Sequence, residues 1–168
     1  RRQATEEAVS LALEFPEVFE QGGFNGIVGN PPYLWGMRIS TFFVERYLKF
    51  LEYVAGIKLG TADLCAHFLR RSVSIATQDS CVGLVLVDTI SQGDTREVGL
   101  GKLLNADPPV KIVYAVASMP LPGKGGVRIS PIVLRKGLWE GRCVLNDAIV
   151  DSIDSRLTEN VEEVAPYK

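Results

Sequence analysis

A chain of 168 residues suits one domain with a hydrophobic core. With 46% hydrophobic and 23% charged residues it reads as globular, neither disordered nor membrane-spanning, and its longest apolar runs fall far short of a bilayer crossing. A net charge of −2 argues against a chain that holds duplex DNA by itself, because neutralising phosphates takes a concentrated basic surface.

The first expected element is a helix over 3–14, with Val9, Ala12 and Leu13 on one face. Pro16 ends or kinks it, and Gln21-Gly22-Gly23 marks a turn. Residues 24–29 follow as a near-continuous apolar run, the pattern of a parallel strand buried on both faces. That strand runs into Asn30-Pro31-Pro32-Tyr33. Trp35 lies in the next loop, and a helix over 41–55 is expected from Phe43, Tyr47, Phe50, Leu51 and Val54. Thr61 is the expected cap of a longer helix reaching about residue 77, on which Leu64 and Phe68 share a face.

A second strand spans 81–87 and ends in a polar loop, Asp88 to Gly93, at the strand end where open α/β sheets place their ligands. Asp94 or Thr95 should cap a short helix to about residue 104, which Pro108-Pro109 breaks. Strands over 110–117 and 127–135 are joined by a connection too short for a helical crossover, so they should be antiparallel. Pro131 inside the second of these points to an edge or a bulge. Beyond Gly137 the pattern weakens to a small hairpin over 144–149 and a frayed acidic tail over 158–168.

The chemistry concentrates in Asn30-Pro31-Pro32-Tyr33. Proline follows both Asn30 and Pro31, which forces both into extended backbone. The Asn30 side-chain oxygen and the Pro31 carbonyl are then two adjacent acceptors that can be held toward one point, with the flat ring of Tyr33 beside them. Such a clamp suits a planar molecule carrying an amino group. Other candidates carry less. His67, the single histidine, has no second ligand or nucleophile spaced to it and reads as a surface or satisfied position. Arg70 and Arg71 read as a solvated face. Cys65, Cys81 and Cys143 match no disulfide framework or zinc spacing, and no metal site is expected. Gly99-Leu100-Gly101 and Gly123-Lys124-Gly125-Gly126 match neither a dinucleotide fingerprint nor a phosphate loop.

Asn-Pro-Pro-Tyr after an apolar strand resembles the catalytic motif of S-adenosylmethionine-dependent methyltransferases that act on planar nitrogens. Three further stretches extend the likeness: residues 61–68, residues 82–92, and residues 121–129 with 133–135. Together they resemble the gamma-type adenine-N6 DNA methyltransferases of restriction-modification and phage-defence systems over roughly residues 15–145. The resemblance implies an α/β fold, the carboxyl-terminal half of a class I methyltransferase (Rossmann-like) sheet, mostly parallel with a terminal antiparallel hairpin. It implies a partial catalytic domain over 1–145 and a tail over 146–168. Asn30, Pro31, Pro32 and Tyr33 take the catalytic positions, and Leu64 and Phe68 lie near the adenine of S-adenosylmethionine. The main cofactor loop, a Gly-rich turn after an earlier strand, has no counterpart here.

The partners implied are therefore an amino-terminal cofactor half and DNA, the latter bound through a recognition domain or partner outside this chain. The start at Arg1 without an initiator methionine fits a fragment, inactive alone, of a cytoplasmic enzyme. Two departures from the family stand out: Asn25 where relatives often carry an acid, and Leu121 near where they often carry an aromatic ring. The alternatives are a non-catalytic remnant or interaction module, and a methyltransferase acting on a protein glutamine or an RNA guanine.

Overall fold

A computed structural model describes residues 10–32, Lys49, residues 62–123 and residues 126–160. Tyr33, Trp35, the helix expected over 41–55, Thr61 and the acidic end of the tail lie outside these residues, apart from Lys49, which is helical.

Two short helices, α1 (Leu11–Glu14) and α2 (Pro16–Glu20), meet at Phe15. The break falls where Pro16 requires it, since proline lacks the N–H a continuing helix would use and is well placed as the first residue of the next. The apolar face expected on the first helix is not buried here: Leu13 is exposed. Phe15 and Phe19 instead set their ring edges against Phe24, with centroids 6.1 and 5.8 Å away. This pins the start of β1 (Phe24–Gly29). The turn before it depends on Gly23, whose φ of +124° suits glycine and where an added Cβ would run into the Ile75 carbonyl.

Helix α3 (Leu64–Ile75) leads directly into β2 (Ala76–Val87). Its cap is Asp63 and not the expected Thr61: the Asp63 carboxylate accepts from the Cys65 N–H at 2.9 Å. At its other end Lys136 Nζ donates to the carbonyls of Val73, which also accepts from the Ala76 N–H, and of Ala76, tying β5 to the junction of α3 and β2. A 3₁₀ turn (Asp88–Ser91) and helix α4 (Gly93–Arg96) follow, then a π-turn (Glu97–Gly101) and α5 (Lys102–Leu104). The N-cap of α4 is Gln92, without a side-chain cap bond, and the expected caps Asp94 and Thr95 lie inside the helix; Thr95 Oγ1 accepts from the Asp63 N–H at 3.0 Å. Gly99 lies in the π-turn, where a Cβ would stand 3.0 Å from Ile90 and 3.2 Å from Ala66, so glycine lets this segment close onto α3.

The remaining strands are β3 (Val110–Ala115), β4 (Met119–Pro120), β5 (Arg128–Lys136), β6 (Cys143–Leu145) and β7 (Ala148–Val150). The sheet order is β1-β2-β5-β3-β6-β7, with β4 paired to β5. Five strands run one way; β5 and β7 run against them. Because β5 sits between β2 and β3, the pairs β1/β2 and β3/β6 are parallel and the others antiparallel. The expected α/β half-sheet with its antiparallel hairpin is what forms.

Three expectations change. β5 is a central strand despite Pro131, which pairs with Val85 in β2, while the irregularity falls in β3 between Ile112 and Tyr114. β2 begins at Ala76, earlier than the apolar run showed, because its first residues bulge against β1 between Phe24 and Gly26. Among the described residues β1 is one edge of the sheet and not a doubly buried strand: Val28 is 93% exposed.

The core joins the sheet to the helical segments: Leu69 and Leu100 belong to one buried cluster with Val82, Leu86, Ile112 and Leu134. It extends past residue 145. Val150, Ile153 and Leu157 are all buried in it, and the β6–β7 hairpin turns at Asn146-Asp147, both at positive φ. The boundary expected at 145/146 thus falls inside this hairpin, and residues 148–157 belong to the packed domain.

Candidate functional site

The parallel register of β1 and β2 brings their carboxyl ends together. Gly29 stands opposite Leu84, so Asn30-Pro31-Pro32 leaves the sheet alongside the last turn of β2, where Val87 passes into Asp88. Pro31 is buried, while Asn30 and Pro32 are exposed; Tyr33 lies outside the described residues. Two prolines restrict the backbone here and the first is buried, which makes this a stiff ledge at the strand's end with Asn30 and Pro32 exposed.

Across β2 the ledge faces a second wall. Val87 pairs with Ile129 at the start of β5, Ile129 pairs with Met119, and Arg128 pairs with Pro120. The β4–β5 loop therefore projects past the same sheet edge as Asn30, two strand spacings away, or roughly 10 Å. Pro120, Leu121, Pro122, Val127 and Arg128 line an open depression of about 530 Å³ there.

Between the two walls lies a polar network of residues that the sequence did not single out. The Ser118 hydroxyl donates to Asp88 Oδ2 at 2.9 Å and accepts from Arg128 Nε at 2.6 Å. Arg128 Nη2 also donates to the Ser118 carbonyl, and Arg128 Nε stands 3.9 Å from Asp88 Oδ2. Ser118, at φ +59°, donates its N–H to the hydroxyl of Ser130, which is fully buried. Only the position of Asp88, at the polar end of an apolar strand, carried a signal for this cluster; Ser118 and Arg128 come together through the hairpin's register.

The two positions expected near a cofactor differ. Leu64 is 3% exposed and packed away at the start of α3, whereas Phe68, one turn later, is 41% exposed. Asp63 beside them is buried, and burial raises its carboxyl above the ordinary value against the opposing hydrogen bond from Cys65. His67 is neither at the surface nor satisfied: it is 9% exposed, and its Nε2 has no hydrogen-bond partner among the described residues. Burial, then the Arg70 charge, lower its pKa to about 4, so the imidazole is neutral near pH 7. The three cysteines are free. Cys65 and Cys143 are buried and Cys81 is exposed. Burial foremost raises the Cys65 thiol far above its usual range, which removes it as a nucleophile. Gly99-Leu100-Gly101 lies in the π-turn, with Leu100 in the core. Among the described residues no group of three or more His, Cys, Asp and Glu is set to hold a metal.

Residues 1–114 match the Eco57I restriction-modification methylase family. The chain belongs to that family. No curated protein sequence matches it. Among solved structures, that of the Type IIL restriction-modification enzyme MmeI in complex with DNA is similar over 92% of this chain, with a TM-score of 0.68 at 18% identity. The match occupies 22% of the MmeI chain, so this restriction-modification methylase chain spans only a small part of that relative's length. The M protein of the Type I restriction enzyme EcoKI is a more distant match, at 12% identity and a TM-score of 0.45, over 71% of this chain and 22% of its own. At these identities the likeness to MmeI speaks for the fold: an α/β half-sheet with its antiparallel hairpin.

Proposed function

We propose that this chain is the base-holding half of the catalytic domain of a DNA adenine-N6 methyltransferase that uses S-adenosylmethionine. The observation that carries this reading is the position of Asn30-Pro31-Pro32 at the carboxyl end of a strand that is parallel to β2 and at the sheet's edge among the described residues, facing the β4–β5 loop across the end of β2, in a chain of a restriction-modification methylase family.

The chemistry asks little of acids or bases. An exocyclic amino nitrogen on adenine is a poor nucleophile because its lone pair is delocalised into the ring. Hydrogen bonds from its two N–H groups to the Asn30 side-chain oxygen and the Pro31 carbonyl localise that pair and aim it, so the chain's contribution is positioning and electrostatics. S-adenosylmethionine, when bound, supplies an electrophilic methyl group on a sulfonium. The adenine leaves its stack to reach the ledge, and contact with the Tyr33 ring offsets part of an unstacking cost of about a few kcal/mol.

The described residues fit that cofactor only in part. Phe68 offers an open ring face, but Leu64 is already covered, and the glycines at 99 and 101 are part of a helical turn. We therefore assign the main cofactor contacts to another half of the enzyme. Its seat is the edge of β1 that is unpaired among the described residues, where the backbone of 24–29 presents a strand-pairing surface. DNA is held largely by other parts of the enzyme, in keeping with this chain's net charge of −2. Among the described residues no helix is long and apolar enough to cross a membrane, and we place the enzyme in the cytoplasm.

Asn30→Ala in the complete enzyme is expected to abolish methyl transfer to adenine, read as loss of labelled methyl incorporation into DNA; retained activity would sink the assignment. Calorimetric titration of the 168-residue chain with S-adenosylmethionine tests the division of labour. Tight binding by this chain alone would overturn it.

A further inference from the structure

We propose that Asp88, Ser118 and Arg128 form a latch that fixes the β4–β5 loop at a set distance from the Asn30 ledge, and that they act as positioning residues for the base that enters between the two. The inference rests on the reading of the ledge as a base-binding site and adds to it the device that sets the cleft's width.

Each member comes from a different element. Asp88 is the first residue past β2, Ser118 sits between β3 and β4, and Arg128 opens β5. The Ser118 hydroxyl is the junction, since it gives its proton to Asp88 and receives one from Arg128. Arg128 Nη2 adds a second bond to the Ser118 carbonyl, so the guanidinium grips the same residue twice.

The geometry is specific to this role in two respects. Ser118 adopts a φ of +59°, a conformation glycine or asparagine would accept more readily, and its hydroxyl joins the other two side chains. Arg128 lines the loop depression, yet its Nε and Nη2 turn toward Ser118 and Asp88. A guanidinium turned this way and partly neutralised by a carboxylate serves as a tie more than as a phosphate contact. The loop itself has one described backbone bond across its mouth, Leu121 N–H to the Val127 carbonyl at 2.9 Å. With so little internal bonding, its position is taken from the base of the hairpin, where the latch sits.

Hydrogen exchange on the 168-residue chain separates a latch from an ordinary turn. Ser118→Gly relieves the positive φ but deletes the junction, and Asp88→Ala deletes its acceptor; Asp88→Asn keeps an acceptor oxygen. A latch predicts that the amides of Ser118 and Leu121 exchange at least tenfold faster in the first two variants and near the wild-type rate in Asp88→Asn, with the amides of residues 132–134 in β5 unchanged as the check on folding. Unchanged exchange at 118 and 121 in Ser118→Gly and Asp88→Ala overturns the proposal. In the complete enzyme the same two variants should lower kcat/KM for DNA at least tenfold while the KM for S-adenosylmethionine holds and Asp88→Asn recovers most of the loss; faster exchange with unaltered methylation also overturns it. A wild-type enzyme that methylates no adenine sinks the reading of the ledge, and the exchange experiment still decides whether the latch exists.

Discussion

β1 and β5 are both strands of one sheet, and they could hardly be treated more differently by their surroundings. β5 is paired along both edges, to β2 and to β3, and places Ile132 and Leu134 in the centre of the core. β1 is paired along one edge, held at its start by the rings of Phe15 and Phe19, and leaves Val28 in water. Apolar content does not explain the contrast, since both stretches are apolar enough for an interior. What differs is whether the elements described around each strand cover it. Among the described residues the sheet is closed on both sides at β5 and open at β1, the strand that leads into Asn30.

The strongest way to test this contrast is to truncate the closed side. Leu134→Ala should destabilise the chain by about 2–5 kcal/mol, through lost burial and the cavity left behind, read as a lower midpoint in urea unfolding. A loss under 1 kcal/mol would mean that β5 is not the centre of the fold.

Acid should act next, through His67 in α3. With its pKa near 4 in the fold against an ordinary 6.5, the unfolded chain takes up a proton that the folded chain refuses. The His67 contribution is therefore constant above pH 6.5 and is lost as pH falls toward 4, on the order of 3 kcal/mol in all. His67→Gln should flatten the difference in unfolding free energy between pH 7 and pH 4.5 by most of that amount. An unchanged slope would place the acid sensitivity in other groups.

At the open edge the expected change is the smallest. Val28→Thr should alter stability by no more than about 0.5 kcal/mol, because the side chain gives up little contact that it now makes. A loss above 1 kcal/mol would show that Val28 is covered in solution.

The same contrast explains what could be read from residues alone. The antiparallel pairing of β3 with β5 followed from a connection too short to cross over, and the small hairpin expected over 144–149 forms with its turn at Asn146-Asp147. Local spacing governs both. Pro16 broke its helix where a missing N–H must break one. The reading failed where a distant partner decides: an apolar strand looks the same at an edge as in the middle, and Pro131 looked like an edge marker until β2 and β3 flanked it. Asp63, not Thr61, caps α3, and Thr95, inside α4 and not at its cap, accepts from the Asp63 N–H across 32 residues. At the candidate site, residues alone drew attention to Asn30-Pro31-Pro32, because two prolines restrict backbone shape. They drew none to Ser118 and Arg128, whose meeting with Asp88 depends on hairpin register and carries no spacing signature.

The π-turn at Glu97–Gly101 bears on how this chain tolerates insertion and deletion. Each residue advances an α-helix by about 100°, so losing one from a regular stretch such as α3 would swing every later side chain round the axis and carry Leu69 and Val73 out of the core. A π-turn already holds one residue more than an α-turn needs. Shedding it would convert the wide turn to an ordinary one and leave Leu103 facing inward. Between two helices that the core holds in fixed rotation, this is the place where the chain's length can change by one without its faces changing.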